Sequence, residues 1–328
     1  MNSWTAQRVL AEAAAMEWCP DGAIEVRSDE YRLIRYPDWV VNPTFPAAHV
    51  TWSRTTRPLD EVIPEVTALV RGWALAGVAW WVSPATEPPD TEEVLRAKGA
   101  IVTDEAQVLA RELTPYEPPA ELPANLTIEL VRDECTFRAA SDVTVKGWER
   151  PEPDPAELAR QLEETLDDLE RWSDFRVVAF VDGEPASTGG CTLAGQVAQL
   201  WGAVTLPAFR HRGAYRAILA ERLRLARQHG ADLALVKGRA TTSAPILLRS
   251  GFTDYGQDRC CWLPIQAGVQ DDAGSECVAG LVREPGQVAH VGGGADGGGL
   301  DLDADQRPRR SPGVPVGQFC TSFSTLWL

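Results

Sequence analysis

The chain has 328 residues, 44% of them hydrophobic, and 31 Lys and Arg stand against 47 Asp and Glu for a net charge of −16. That composition belongs to a folded protein with material for one large or two medium cores. The acidic balance excludes nucleic acid and anionic membranes as general partners, because both need a basic surface, and it suits a cationic acceptor better. Seven cysteines without regular spacing or a CxxC pair supply neither a metal framework nor a disulfide scaffold, and a reducing cytoplasm is the compartment they fit. Met1 to Trp18 shows no cationic start followed by a long apolar core and no apolar run approaches a membrane span, so neither export nor insertion is expected.

In chain order, the spacing of Val9, Leu10, Ala13 and Met16 predicts an opening helix over Ser3 to Trp18, stopped at Cys19-Pro-Asp-Gly22. Tyr31 to Tyr36 and His49 to Arg54 alternate as half-buried strands, and Pro58 to Trp73 reads as a helix with proline at its start. A buried strand over Gly77 to Val82, a helix over Thr91 to Lys98 and a strand over Gln107 to Glu112 complete this part. Tyr116 to Pro123 is a proline-rich joint. After it come a strand over Leu126 to Val131, a helix over Asp133 to Val145, a loop from Gly147 to Pro155 and a strongly acidic helix from Pro155 to Trp172. Phe175 to Cys191 is a hairpin turning at Asp182-Gly183.

Val197 to Leu206 carries little charge and reads as a strand buried on both faces, with Gly202 marking a bulge. Arg210-His-Arg-Gly-Ala-Tyr-Arg216 follows and leads into an amphipathic helix from Ala214 to His229, stopped by Gly230. A strand over Ala231 to Lys237, a helix over Thr242 to Ser250 and Gly251-Phe252 come next. Beyond residue 266 glycines and aspartates replace periodic apolar residues, which predicts a disordered tail without a catalytic part; only its apolar end, Phe319 to Leu328, could dock.

A strand that runs into a glycine turn and a helix start presents unpaired backbone N–H groups and the positive end of a helix dipole. Arg210 and Arg212 add fixed charge, and Gly213 lets a ligand approach the backbone. The same residues also describe an ordinary solvated turn.

The stretch from Arg210 to Tyr215 resembles the arginine/glutamine-x-x-glycine-x-glycine/alanine signature of the GNAT superfamily of N-acetyltransferases, and the order of elements over residues 125 to 265 is similar to that superfamily's. The resemblance implies an α/β (α+β) fold with a mixed central sheet flanked by helices, and acetyl-CoA as co-substrate without a metal. It implies coenzyme binding by Arg210, His211, Arg212, Gly213, Ala214 and Tyr215, and a backbone oxyanion site at Ala203 or Val204. Residues 1 to 118 repeat strand, helix, strand, helix, glycine and strand without the signature, and read as a degenerate lobe of the same kind or as an unrelated α+β domain, before a transferase domain over 124 to 265 and the tail over 266 to 328. Two departures stand out: Tyr215 occupies the signature's last small position, and Gln199 and Leu247 stand where many members carry a glutamate base and a tyrosine acid.

The function this implies is transfer of an acetyl group to an amine of a small molecule by direct attack. The candidate proton-handling groups are Gln199, Glu149 and Tyr255, the last one able to face the leaving sulfur or to be a structural phenol. Trp148 and Glu149, in the loop that usually lines the acceptor site, could grip an ammonium group or simply cover the core edge. Cys191, Cys260 and Cys261 offer a covalent route, but no histidine neighbours them in sequence. His229 and the pair Thr242 and Ser243 read as helix caps. A coenzyme-binding sensor without turnover is the alternative reading, and tRNA-dependent aminoacyl transfer is disfavoured by the acidic balance.

Overall fold

The computed structural model describes residues 4–16, 18–20, 22–38, 40–41, 45–114, 122–265 and 289–291. The first lobe runs α1 (Ala6–Ala15), β1 (Ile24–Ser28), β2 (Tyr31–Arg35), β3 (Ala48–Ser53), α2 (Leu59–Gly72), β4 (Gly77–Val82), α3 (Thr91–Ala97) and β5 (Ile101–Glu112). The second runs β6 (Leu126–Leu130), α4 (Glu134–Gly147), α5 (Pro155–Arg171), β7 (Asp174–Val181), β8 (Glu184–Ala194), β9 (Val197–Thr205), α6 (Ala214–Gln228), β10 (Leu233–Arg239), α7 (Ala244–Arg249) and β11 (Thr253–Pro264). β12 (Ala289–Val291) pairs in parallel with β1, so this triplet of the expected tail is ordered on the sheet edge, while the rest of that tail, Phe319 to Leu328 included, lies outside the described residues. Strand β1 was not apparent in the sequence, because Ile24-Glu-Val-Arg-Ser28 is short and half-buried throughout.

All twelve strands form one mixed sheet in the order β12-β1-β2-β3-β4-β11-β5-β10-β9-β8-β7-β6. The centre of that order is an exchange. The strand following β4 in the chain, β5, lies antiparallel beside β10, and the strand following β10, β11, lies antiparallel beside β4. β5 and β11 then pair with each other, so each lobe closes the other's sheet.

Helix starts follow local chemistry. Thr5 caps α1, Asp133 forms a capping box with Thr136 on α4, and Asp154 caps α5 with Pro155 at its first position. Ser243 stands at the cap position of α7 but makes no side-chain cap bond, contrary to the sequence reading. On one face of the sheet α6 packs its Ala214, Ala217, Ile218 and Leu219 over Ala198, Leu200 and Ala203. On the opposite face Val9 and Ala13 of α1 cover Val197, Leu233 and Leu235, and Phe137 and Ala140 of α4 pack on Val178 and Trp201. The α2 face of the first lobe holds Val62, Val66, Val78 and Trp80. Among the described residues no helix is long and apolar enough to cross a membrane.

Candidate active site

Strands β9 and β10 run parallel and pair only at Val197↔Leu233, Ala198↔Ala234 and Gln199↔Leu235. Beyond that row each keeps its outer neighbour, β9 with β8 and β10 with β5, but they no longer pair with each other. Leu200–Thr205 and Val236–Arg239 therefore face one another across a wedge at the carboxyl ends of two parallel strands, the usual place for a ligand crevice in such a sheet. On the second edge, Lys237 forms a buried ion pair with Asp258 at 2.8 Å.

A bulge shapes the first edge. Gly202 has φ +60°, and the β8–β9 register slips there so that Gly202 and Ala203 together oppose Gly189. Ala203 and Val204 are buried just past it, and α4 ends on them: a Cβ at Gly147 would lie 2.5 Å from Cγ2 of Val204. Only glycine lets α4 come this close.

The strand then leads through a short 3-10 turn, Pro207–Phe209, to α6. His211 at φ +64° and Gly213 at φ +88° are both left-handed, and no side chain caps the first N–H groups of α6. The result is a concave row of backbone donors at a helix start. Arg210, exposed, donates Nε to the Thr205 carbonyl at 3.4 Å; Arg212 pairs with Asp182 and lies over the Phe209 ring. Ala214 is buried as the first residue of α6, and Tyr215 is half-buried against the α6 core. The loop thus offers an anion its backbone donors and the exposed Arg210, while Arg212 is held by Asp182, and this donor set fits a phosphate group.

Gln199 is half-buried in the last paired row, at the apex of the wedge. That row continues outward on the same face through Thr192 and Asp174. The Thr192 hydroxyl donates to Asp174 Oδ2 at 2.5 Å and accepts from Trp201 Nε1 at 2.9 Å. Asp174 is half-buried as a residue but its carboxyl group is enclosed, and burial raises its pKa well above the ordinary value against the opposing hydrogen bond from Thr192. Arg176, fully buried beside it, donates to Thr144 Oγ1 at 2.7 Å, and burial depresses it to about 10. A cavity of about 340 Å³ opens on this face between α4 and the start of α5, with Ser141, Thr144, Arg150, Glu152 and Gln161 among its walls.

Other expected residues lie elsewhere. Tyr255 is on β11, separated from β10 by β5, and packs with the α1 cluster, so its placement does not bring it to a leaving sulfur at the wedge. Glu149 is exposed with φ +51°, and Trp148 packs against the hydrophobic cluster of Tyr36, Val40 and Phe45 in the first lobe instead of presenting a free face. Leu247 is buried core. His229 ends α6 and stacks on Trp172 at 3.4 Å. Burial pushes Cys191 far up, Cys260 up to about 12 and Cys261 up to about 11, so none of these three is a thiolate at neutral pH.

The first lobe has its own wedge, and its own chain closes it. β3 and β4 pair in parallel only at His49↔Ala79 and Val50↔Trp80, but Glu87 then returns to bond Ser53 and Thr55 through its backbone at 3.3 and 3.0 Å. The loop before α2 carries Arg54 and Arg57, and the carboxylate of Glu30 accepts from both Thr55 and Arg57. Glu30 thus occupies the Thr55 hydroxyl and the Arg57 guanidinium of that loop.

The sequence profile of the acetyltransferase (GNAT) family matches residues 142–252, the span from the middle of α4 to the end of α7. This segment is a GNAT domain. Similar solved structures include a GCN5-related N-acetyltransferase from Kribbella flavida, 17% identical, with a TM-score of 0.56 over 81% of this chain and 97% of that one. A tandem GNAT protein from the clavulanic acid biosynthesis pathway is likewise 17% identical, with a TM-score of 0.54 over 80% of this chain and 89% of that one. A GCN5-related N-acetyltransferase from Sphaerobacter thermophilus is 16% identical, with a TM-score of 0.53 over 74% and 82%. At these identities the likeness is one of fold, and it covers both lobes: a GNAT domain preceded by a degenerate GNAT-like lobe. No curated protein matches the chain.

The sequence singled out the β9 bulge and the loop before α6 but not Asp174, Thr192 or Arg222. Arg222 had left a trace: it follows Ile218 by four residues, a charge in the apolar stripe of α6.

Proposed function

We propose that the chain transfers an acyl group, acetyl in the first instance, from its coenzyme A thioester to an amine of a small molecule in a ternary complex, using the second lobe alone. The observation that carries this reading is the open wedge between Leu200–Thr205 and Val236–Arg239, which ends at the uncapped start of α6. The first lobe's wedge is closed by Glu87 and its cradle holds Glu30, so it serves as scaffold.

The thioester supplies an acyl carbon already activated for attack. In this reading the backbone of Gly213, Ala214 and Tyr215, with Arg210, His211 and Arg212, holds the phosphates. The N–H groups of Ala203 or Val204, aimed by the bulge, bind the oxygen as it becomes negative. The acceptor enters over the α4 face, where the cavity beside Thr144 and Arg150 is the space available to it. As the nitrogen bonds to the carbonyl carbon and the C–S bond breaks, the amine proton needs an acceptor, and Gln199 cannot be one. Asp174, linked through the Thr192 hydroxyl in the same row as Gln199, is the carboxylate we assign to it, with a bridging water toward the amine. Glu149 is too exposed to compete for this role. The thiol leaves as thiolate, which is tolerable near neutrality for a group with a pKa of about 8.5.

The missing base at 199 and acid at 247 favour a second reading, a coenzyme-binding sensor without turnover. Titration calorimetry with acetyl-CoA, followed by thiol release against amines of graded basicity, separates the two. Binding with turnover on at least one amine is expected; binding without release on any amine supports the sensor, and no binding rejects both.

A further inference from the structure

We propose that Arg222 is a positioning residue whose buried cation holds the β9 bulge and polarises the thioester carbonyl from behind the strand; the inference rests on the functional reading above.

Arg222 lies two turns into α6 and is fully buried. Among the described residues no carboxylate reaches it. Its Nε donates to the Ile218 carbonyl at 3.3 Å, and one terminal nitrogen donates to the carbonyls of Gly190 at 3.1 Å and Trp201 at 3.4 Å. The other terminal nitrogen is buried, and the group that interacts with the guanidinium on that side is the equally buried Tyr215 hydroxyl. Removing an arginine from water without a counter-ion is costly, and such an arrangement persists where it is used.

Its position tells what it is used for. Gly190 and Trp201 face each other at the last regular pair before the bulge, and the guanidinium takes both of their carbonyls where the ladder breaks. A Cβ built on Gly189 would sit 3.0 Å from Cζ of Arg222 and 3.0 Å from Cβ of Ala203. The guanidinium carbon and Ala203 are therefore no more than about 6 Å apart, the two distances laid end to end. Ala203 is one of the two residues whose N–H faces the developing oxyanion in the proposed reaction. Gly189 is glycine because a side chain there would displace the guanidinium. The donor to the Trp201 carbonyl also fixes the peptide plane leading into Gly202, and with it the direction of the N–H groups that follow.

At a separation of about 7 Å and an effective dielectric of about 20, a fixed positive charge would be worth roughly fifty-fold in rate to an oxyanion. Arg222→Lys keeps charge but not the fork, and Arg222→Ala removes both.

The test uses the full chain. Difference infrared spectra of bound acetyl-CoA labelled with ¹³C at the carbonyl report its polarisation without turnover. The expected result is a lowered carbonyl stretch in the wild type, a partial shift with Arg222→Lys and almost none with Arg222→Ala, at coenzyme affinities within about threefold. kcat should fall by roughly fifty-fold in Arg222→Ala at unchanged coenzyme KM, and millimolar guanidinium should restore part of it. Should Arg222→Ala fail to fold, Arg222→Lys carries the test. Folded variants with the wild-type carbonyl frequency and kcat would overturn the inference, as would lost stability with no change in frequency. A wild type that binds no acetyl-CoA would instead remove the functional reading beneath it.

Discussion

Replacing Asp174 by Asn should slow the reaction and stabilise the fold together. Asn keeps the shape and can still accept from the Thr192 hydroxyl, but it takes no proton at neutral pH. The magnitude depends on the acceptor. An alkylamine with a pKa of about 10.4 must lose its proton at a cost of roughly 4 to 5 kcal/mol at pH 7, whereas an α-amine near 7.7 needs about 1 kcal/mol. If Asp174 is where that proton goes, kcat/KM should fall by about 10² to 10⁴ for strongly basic acceptors and much less for weakly basic ones. The stability change has the opposite sign. Burial raises the pKa of Asp174 above its unfolded value, so the folded state prefers the neutral acid, and stability is lost as pH rises from the ordinary carboxyl range through the raised value. The groups facing Asp174 are Asp168, Arg176 and Cys191, the first opposing and the second favouring its ionisation. Asp174→Asn should therefore be more stable than wild type at pH 7 and equal to it at pH 3.5. Rates against acceptor pKa and denaturant midpoints against pH read the two effects. Equal slopes in both proteins would refute the proton-acceptor role, and a variant that is less stable at pH 7 would refute the account of the buried carboxyl.

Gly213→Val should cost about 1 to 2 kcal/mol of stability, because φ is +88° there, and should weaken coenzyme binding at least tenfold by placing a branched side chain in the donor row; calorimetry showing unchanged affinity in a folded variant would refute the phosphate assignment. His49, buried and depressed to about 4, takes the Trp81 indole N–H at Nδ1 while Nε2 meets the Pro46 carbonyl at 2.8 Å. Its folded value lies below its unfolded one, so its neutral form stabilises the fold above about pH 6.5, and roughly 3 kcal/mol is lost as pH falls from there to about 4. Denaturant midpoints at pH 7 and 4.5 should converge in His49→Gln; an unchanged acid slope would remove His49 from this account.

Much of the site was legible because its chemistry is local. The apolar run at 197–206, its glycine, the arginines and the helix that follows are contiguous, and Gly202 is a bulge as its position in a strand interior implied. What was hidden depends on cross-strand neighbours. Asp174, Thr192 and Gln199 are far apart in sequence and meet only through the β7–β8–β9 register. At Gly189 and Gly190 the guanidinium of Arg222 and the indole of Trp201 occupy the space side chains would need, the latter within 2.2 Å of a Cβ at Gly190. The exchange of β5 and β11 could not be read from element order, since both the exchanged and the unexchanged sheet place each strand after the same helix.

That exchange ties the first lobe to the wedge of the second. β10 is the second wall of the wedge, and its only partner along Val236–Arg239 is β5, a strand of the first lobe, through Val236↔Leu109 to Arg239↔Ala106. Without β5, this edge would present unpaired N–H and C=O groups on both sides, and a wall free on both sides has nothing to hold it away from β9. β11, the strand that would otherwise follow β10, is held at β4 by pairs from Arg259↔Val82 to Pro264↔Gly77. The first lobe therefore contributes the strand that holds the second wall of the wedge in place.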